Sequence, residues 1–209
     1  FLTGTDTGVG KTRVTAALAR EWRRRGEAVV ALKPLETGVR DEPGDAGALA
    51  AASGWPAGRW RELSYLRLPL PAAPELAARL AGRSFTLPAV LAWIRGWTRP
   101  AGRRLLVEGV GGLLVPLTPR ETVADLATAL GWPLLLVCRG TLGTINHTLL
   151  SLEAAARRGL RVRGVIMNLG YDRENAQAIF RHSGVPVLGY LKEMPSRASP
   201  ARDALTWLP

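Results

Sequence analysis

Residues 4–12 read Gly-Thr-Asp-Thr-Gly-Val-Gly-Lys-Thr, and no other stretch restricts the possible folds as strongly. Phe1-Leu-Thr3 before it reads as the tail of a strand. After it, residues 11–25 carry Val14, Leu18 and Trp22 at i, i+4 and i+8, one face of a helix. A glycine-rich turn between strand and helix lets backbone N–H groups point inward, and the helix start adds the positive end of its dipole. Such a turn cradles phosphate. Lys11 is expected to reach β- and γ-phosphates, and the Thr12 hydroxyl to ligate Mg²⁺. The first glycine stands one place early, since the standard spacing would put it at Thr5.

The rest of the chain alternates short apolar runs with helical patterns, which indicates an α/β fold. Further strands are expected at 28–32, 105–107, 133–138, 162–167 and 186–191, and helices at 144–158 and 173–182. Uninterrupted apolar strands of this kind form a parallel sheet buried on both faces. Residues 41–100 break the rule, being rich in Pro, Ala and Trp. They read as a helical insertion between two sheet strands, with helices near 45–52, 74–80 and 87–97, forming a lid or substrate wall. The tail from Glu193 reads as irregular. Residues 1–209 are expected to form a single domain.

Composition narrows the function classes. Apolar residues make up 47%, enough for a full core. Cys138 is the only cysteine, which excludes an internal disulfide and a cysteine-built zinc site. Cys138 itself reads as a buried sheet residue. No apolar run approaches the roughly 20 residues of a membrane span, and no leader is visible, so a cytoplasmic protein is expected. The start at Phe1 rather than Met suggests further residues upstream. The net charge of +11 invites polyanions. The arginines are scattered, however, with one dense patch at residues 20–25, so they read as solvated surface. Neither nucleic acid nor membrane is expected as a partner. Only three residues are lysine, Lys11, Lys33 and Lys192, which raises a chemical question about each.

Magnesium prefers hard oxygen ligands, commonly one or two carboxylates plus phosphate. Glu108 is expected at the C-terminal end of an apolar strand, immediately before Gly109-Val-Gly-Gly112. Ligands of open α/β sheets bind in the crevice outside those strand ends. Lys33 closes another buried strand, in Lys33-Pro-Leu-Glu-Thr-Gly38, and would point into the same crevice. There it could neutralise charge on a transferring phosphoryl group. Asp45 follows Pro43-Gly44 before an alanine-rich stretch. By position alone it is as natural an N-cap as a metal ligand.

Four ordered motifs carry a resemblance: G-T-D-T-G-V-G-K-T, K-P-x-x-T-G, V-E-G-x-G-G and L-G-T-I-N-H. Together they resemble the dethiobiotin synthetase family, from Phe1 to about Pro195, with a looser match in the insertion. The resemblance implies a three-layer P-loop NTPase fold with a mostly parallel central sheet flanked by helices. It further implies ring closure of 7,8-diaminononanoate with CO₂ and ATP, using Mg²⁺ and giving dethiobiotin, ADP and phosphate. One amine captures CO₂ as a carbamate, the carbamate attacks the γ-phosphate, and the second amine closes the ring. No protein nucleophile is required.

By motif matching, Lys33 and Lys11 would be the catalytic pair, with Thr12, Asp45 and Glu108 around magnesium. Nucleotide contacts would come from Gly8, Val9, Gly10, Lys11, Thr12 and Arg13, with Asp45, Glu108, Gly109, Val110 and Gly111. Asn168 and Leu169 would meet the base, under a closing segment of Pro195, Ser196 and Arg197. The Asn168 amide suits an adenine edge, donor to acceptor and acceptor to donor. Thr37 would touch the substrate nitrogen or carbamate. Gly143, Thr144, Ile145 and Asn146 would receive the substrate carboxylate from the partner subunit of a homodimer. His147 reads as a helix-packing histidine, and His182 and the seven tryptophans as surface or packing residues. Some members carry glutamate at Gly8 and lysine at Thr141; their absence weakens, respectively, the metal shell and the hold on the substrate tail. An amide-forming relative acting on a corrin precursor would need a further glutaminase domain. The alternative from another class is a nucleotide-switched, partition-type ATPase on DNA or membrane. Those relatives carry an early loop lysine where this chain has Asp6.

Overall fold

The computed structural model describes residues 1–98, 102–192 and 205–208. Its sheet has seven strands in the order β2-β5-β1-β6-β7-β8-β9. These are β1 (Leu2–Gly4), β2 (Val29–Leu32), β5 (Arg104–Gly112), β6 (Leu134–Arg139), β7 (Val162–Asn168), β8 (Val187–Tyr190) and β9 (Thr206–Trp207). All pairs are parallel except β8 with β9. Between strands run α1 (Lys11–Arg24), α2 (Gly44–Ser53), α3 (Pro74–Leu80), α4 (Leu87–Gly96), α5 (Val123–Leu130), α6 (Thr144–Ala156) and α7 (Arg173–Ser183).

Successive residues of each strand supply opposite cores, as a sheet covered on both faces requires. Val29 and Ala31 pack with α1 and α2 through Val14, Leu18, Leu49 and Ala52. Val30 and Leu32 belong to the other core, which takes in Val90, Ile94, Leu126, Leu152 and Ile179 from α4 to α7. The result is the expected three-layer α/β fold. Among the described residues no helix is long and apolar enough to cross a membrane.

Four readings need correction. The tail is not wholly irregular, since residues 206–207 form β9 against β8. Strand β5 does not stop at Glu108 but runs on to Gly112. It does so through an irregularity against β1, where Leu2 pairs with Glu108 and Gly4 with Gly112. Extra residues on one strand bend it locally, and glycines suit that bend. The insertion is not purely helical: β4 (Leu66–Leu68) pairs in parallel with β3 (Leu35–Thr37) to form a second, two-stranded sheet. Helix α5 was not foreseen. Its start is closed by the Asp125 carboxylate, which accepts from the Thr122 N–H at 2.7 Å.

Candidate active site

The loop after β1 reaches α1 through Gly8 and Gly10, both left-handed, and Gly10 is the N-cap of α1 with φ 90°. Only glycine adopts that backbone freely. Lys11 is buried, and its Nζ donates to the Asp6 carbonyl at 3.0 Å. Burial and then the neighbouring Lys33 charge pull its pKa down to about 8.

In the β2–β5 register Leu32 pairs with Val107, so Lys33, just past β2, and Glu108, within β5, stand side by side. Both are buried, 4% and 1% exposed, so neither has bulk water to solvate its charge. The Lys33 Nζ lies 2.6 Å from Glu108 Oε1 and 2.8 Å from Asp45 Oδ2. It also donates to the Gly109 carbonyl at 3.2 Å. Burial acts to lower the pKa of Lys33, but the Glu108 and Asp45 carboxylates outweigh it and hold the ammonium above the usual lysine range. Asp45 is desolvated too, and the Lys33 charge nonetheless keeps its carboxyl low. It is not an N-cap: Pro43 occupies that position, and the Asp45 side chain turns to Lys33.

Thr12 Oγ1 donates to Glu108 Oε1 at 2.8 Å. The other Glu108 oxygen, Oε2, is buried with no hydrogen-bond partner. A free buried carboxylate oxygen beside a hydroxyl and a second carboxylate is a hard-oxygen donor set. One lysine against two carboxylates leaves a negative charge in this trio. Magnesium fits these residues. Among the described residues no cluster of three His, Cys, Asp or Glu could cage a metal by itself, and Mg²⁺ ordinarily needs only one or two carboxylates plus phosphate oxygens.

These side chains line one cleft of about 240 Å³, with Gly8, Gly10, Lys11, Thr12, Lys33, Glu36, Thr37, Asp45, Glu108, Val110 and Gly111 in its wall. A second cleft of about 280 Å³ shares Thr7, Thr37, Val110 and Gly111 with it and continues along Pro71, Pro74 and Val115. A larger cavity, about 860 Å³, lies between α6, α7 and the start of β7 and contains none of the expected site residues.

Val9 is buried under the loop, and Gly109 lies against β1 beside Leu2. Asn168 ends β7 fully buried, its Nδ2 donating to the Val9 carbonyl at 2.8 Å and its Oδ1 accepting from Arg13 at 3.0 Å. One N–H of the amide that was expected to meet adenine thus binds the phosphate loop and its oxygen binds Arg13 on α1, which leaves a second N–H and a second lone pair. Leu169 follows at φ 58°, the one non-glycine residue with positive φ among those described. That strain is of the order of 1 kcal/mol and fixes how the chain leaves β7. Gly143, an αL N-cap, and Thr144, Ile145 and Asn146 open α6 but line neither cleft. His147 is exposed on α6 rather than packed. Cys138 is fully buried, as expected. Pro195, Ser196 and Arg197 lie outside the described residues.

Sequence reasoning missed Glu36 and Arg67. Glu36 is buried at 2% exposure in the wall of the phosphate cleft, and its β4 register partner is Arg67.

Comparisons with known proteins identify the family and the fold. A family model described as an AAA domain matches residues 1–201. The chain is 49% identical to the ATP-dependent dethiobiotin synthetase BioD of Anaeromyxobacter dehalogenans strain 2CP-1, over 80% of this chain and 75% of that one. It is 42% identical to the protein of the same name from Bacillus cereus strain B4264, over 91% and 81%. In fold it is similar to the MinD cell division protein of Aquifex aeolicus, with a TM-score of 0.55, 14% identity, and 93% and 81% of the two chains covered.

Proposed function

The chain belongs to the dethiobiotin synthetase family of P-loop, ATP-dependent ligases, and from that premise we propose how its residues close the ureido ring of dethiobiotin. The observation that carries the proposal is the buried Lys33 ammonium, held between Asp45 and Glu108 beside the phosphate loop. Because the carboxylates keep it protonated, Lys33 serves as a fixed positive charge and not as a base. It would stabilise the carbamate and phosphoryl oxygens as charge moves from one to the other. Thr37, in the wall shared by both clefts, would orient the carbamate. The alkyl chain of 7,8-diaminononanoate would follow the apolar cleft past Pro71, Pro74 and Val115.

Magnesium would be held by Thr12, Asp45 and Glu108, and would supply charge neutralisation to the phosphates. We further read residues 1–209 as one domain, with 41–100 inserted to supply Asp45. The substrate carboxylate would be received at residues 143–146 of a second copy. Exposed Leu142 and Leu150 near that helix start support a homodimer. A cytoplasmic setting accords with consumption of ATP. Adenine pairing through Asn168 would use the remaining N–H and lone pair of this buried amide.

The test is ADP release from Mg·ATP and bicarbonate with and without 7,8-diaminononanoate. Release only with the diamine, matched by dethiobiotin on mass spectrometry, is the expected result. Hydrolysis independent of the diamine, with no ring product, would overturn the site assignment in favour of a nucleotide switch.

The depressed pKa of Lys11 gives a second expected result. Above about pH 8 the lysine is mostly neutral in the free protein. Bound phosphate favours the charged form, so the complex holds more protons than the free protein. Binding of Mg·ADP should therefore take up about one proton at pH 9 and weaken up to about tenfold per pH unit there. Calorimetry in buffers of differing ionisation enthalpy reads this uptake, and Lys11→Arg should abolish it.

A further inference from the structure

Helix α2 begins without a side-chain cap of its own, because Pro43 is the N-cap residue and offers none. Its first turn is instead met by Glu36 from β3, whose Oε1 accepts from the Asp45 N–H. Gly44 sits at φ 54° directly against that carboxylate, and a Cβ there would fall 2.9 Å from Val39 Cγ1 and 3.1 Å from Glu36 Cδ. The close approach thus depends on glycine. A carboxylate at a helix start also meets the positive end of the dipole.

Glu36 also faces a cation from β4, at ion-pair distance and with no hydrogen bond to its Oε2. Arg67 is its register partner, with Nη1 3.7 Å from Glu36 Oε2. The same guanidinium donates to the carbonyls of Glu42 and Pro43 and lies 4.3 Å from the Trp60 ring centre. Arg67 therefore ties the 38–44 connection to the small sheet at the point where α2 begins.

We propose that Glu36, braced by Arg67, is a positioning residue: it caps α2 from a neighbouring strand and thereby sets Asp45 against Lys33 for metal binding. The small β3–β4 sheet is the frame that makes this possible. The inference rests on the reading that Asp45 is a magnesium ligand, and the experiment separates the two.

Full-length Glu36→Ala, Glu36→Gln, Asp45→Ala and the Glu36→Ala/Asp45→Ala double variant would be titrated with ADP across a Mg²⁺ series. Glu36→Ala should raise the Mg²⁺ midpoint about tenfold or more. Glu36→Gln, which keeps an acceptor for the Asp45 N–H, should recover most of the loss. The double variant should be no worse than Asp45→Ala, since one residue acts through the other. An additive double variant, or a Gln variant as impaired as Ala, would overturn the proposal. Should Asp45→Ala leave the midpoint unmoved, the metal role of Asp45 fails. Hydrogen exchange over residues 44–48 then decides the cap: faster exchange in Glu36→Ala but not in Glu36→Gln sustains it, and unchanged exchange overturns it.

Discussion

Replacing Lys33 by methionine is expected to cut turnover by on the order of 10³-fold while leaving nucleotide binding within a few-fold. Methionine keeps most of the volume and removes the charge together with its hydrogen bonds to Glu108 and the Gly109 carbonyl. The phosphate loop is untouched, since Lys11 makes its own contact with the Asp6 carbonyl. Stability should fall as well. Glu108 is 1% exposed and would lose the cation 2.6 Å away. Breaking a buried pair by removing one partner costs roughly 3–5 kcal/mol. The two carboxylates that remain would attract a divalent cation more strongly, so Mg²⁺ should raise the melting temperature of the variant more than that of the parent. Melting curves with and without Mg²⁺, beside turnover in saturating Mg²⁺, separate the two effects. Normal turnover in the folded methionine variant would remove Lys33 from the mechanism.

Gly10→Ala should abolish measurable nucleotide binding. The backbone at φ 90° penalises any side chain, and an added Cβ would overlap Asn168 Nδ2 and lie 2.8 Å from its Cγ. Asn168 would have to leave, taking its bonds to the Val9 carbonyl and Arg13 with it. The loop would lose the support beneath it at the residue where α1 begins. Asn168→Ala alone should weaken binding less, about tenfold, on the loss of hydrogen bonds to a buried carbonyl and a charged group. Adding Asn168→Ala to Gly10→Ala removes the clash and should recover part of the binding, a non-additivity visible by calorimetry. A Gly10→Ala variant that binds ADP normally would show that the loop does not lean on Asn168.

Much of this architecture was readable where a residue's position carries chemistry by itself. Lys11 and Thr12 follow a glycine-rich turn, and Lys33 and Glu108 stand where apolar runs give way to polar residues. The small sheet was not readable, because β3 and β4 have three residues each and too few alternations to declare a period. Glu36 and Arg67 were missed with it. Helix α5 did carry a signal, the Thr122-Val-Ala-Asp125 capping box with Gly131 behind it, hidden between two glycine- and proline-containing stretches. The bond from Asn168 to Val9 joins residues 159 apart, and only the tertiary structure brings them together.

The placement of β5 between β2 and β1 sets an order of events for the growing chain. The first two strands cannot pair with each other, because a strand made some seventy residues later must slot between them. Until residues 104–112 arrive, both apolar edges stand open, and the phosphate loop has neither Glu108 beside Thr12 nor Asn168 beneath Val9. An amino-terminal fragment ending before β5 therefore carries the whole nucleotide motif but lacks Glu108, Val110 and Gly111 from the cleft wall and the support of Asn168. A ribosome-bound chain should acquire affinity for nucleotide only once the late strands have emerged, so the ligand itself can report when synthesis has produced a sheet.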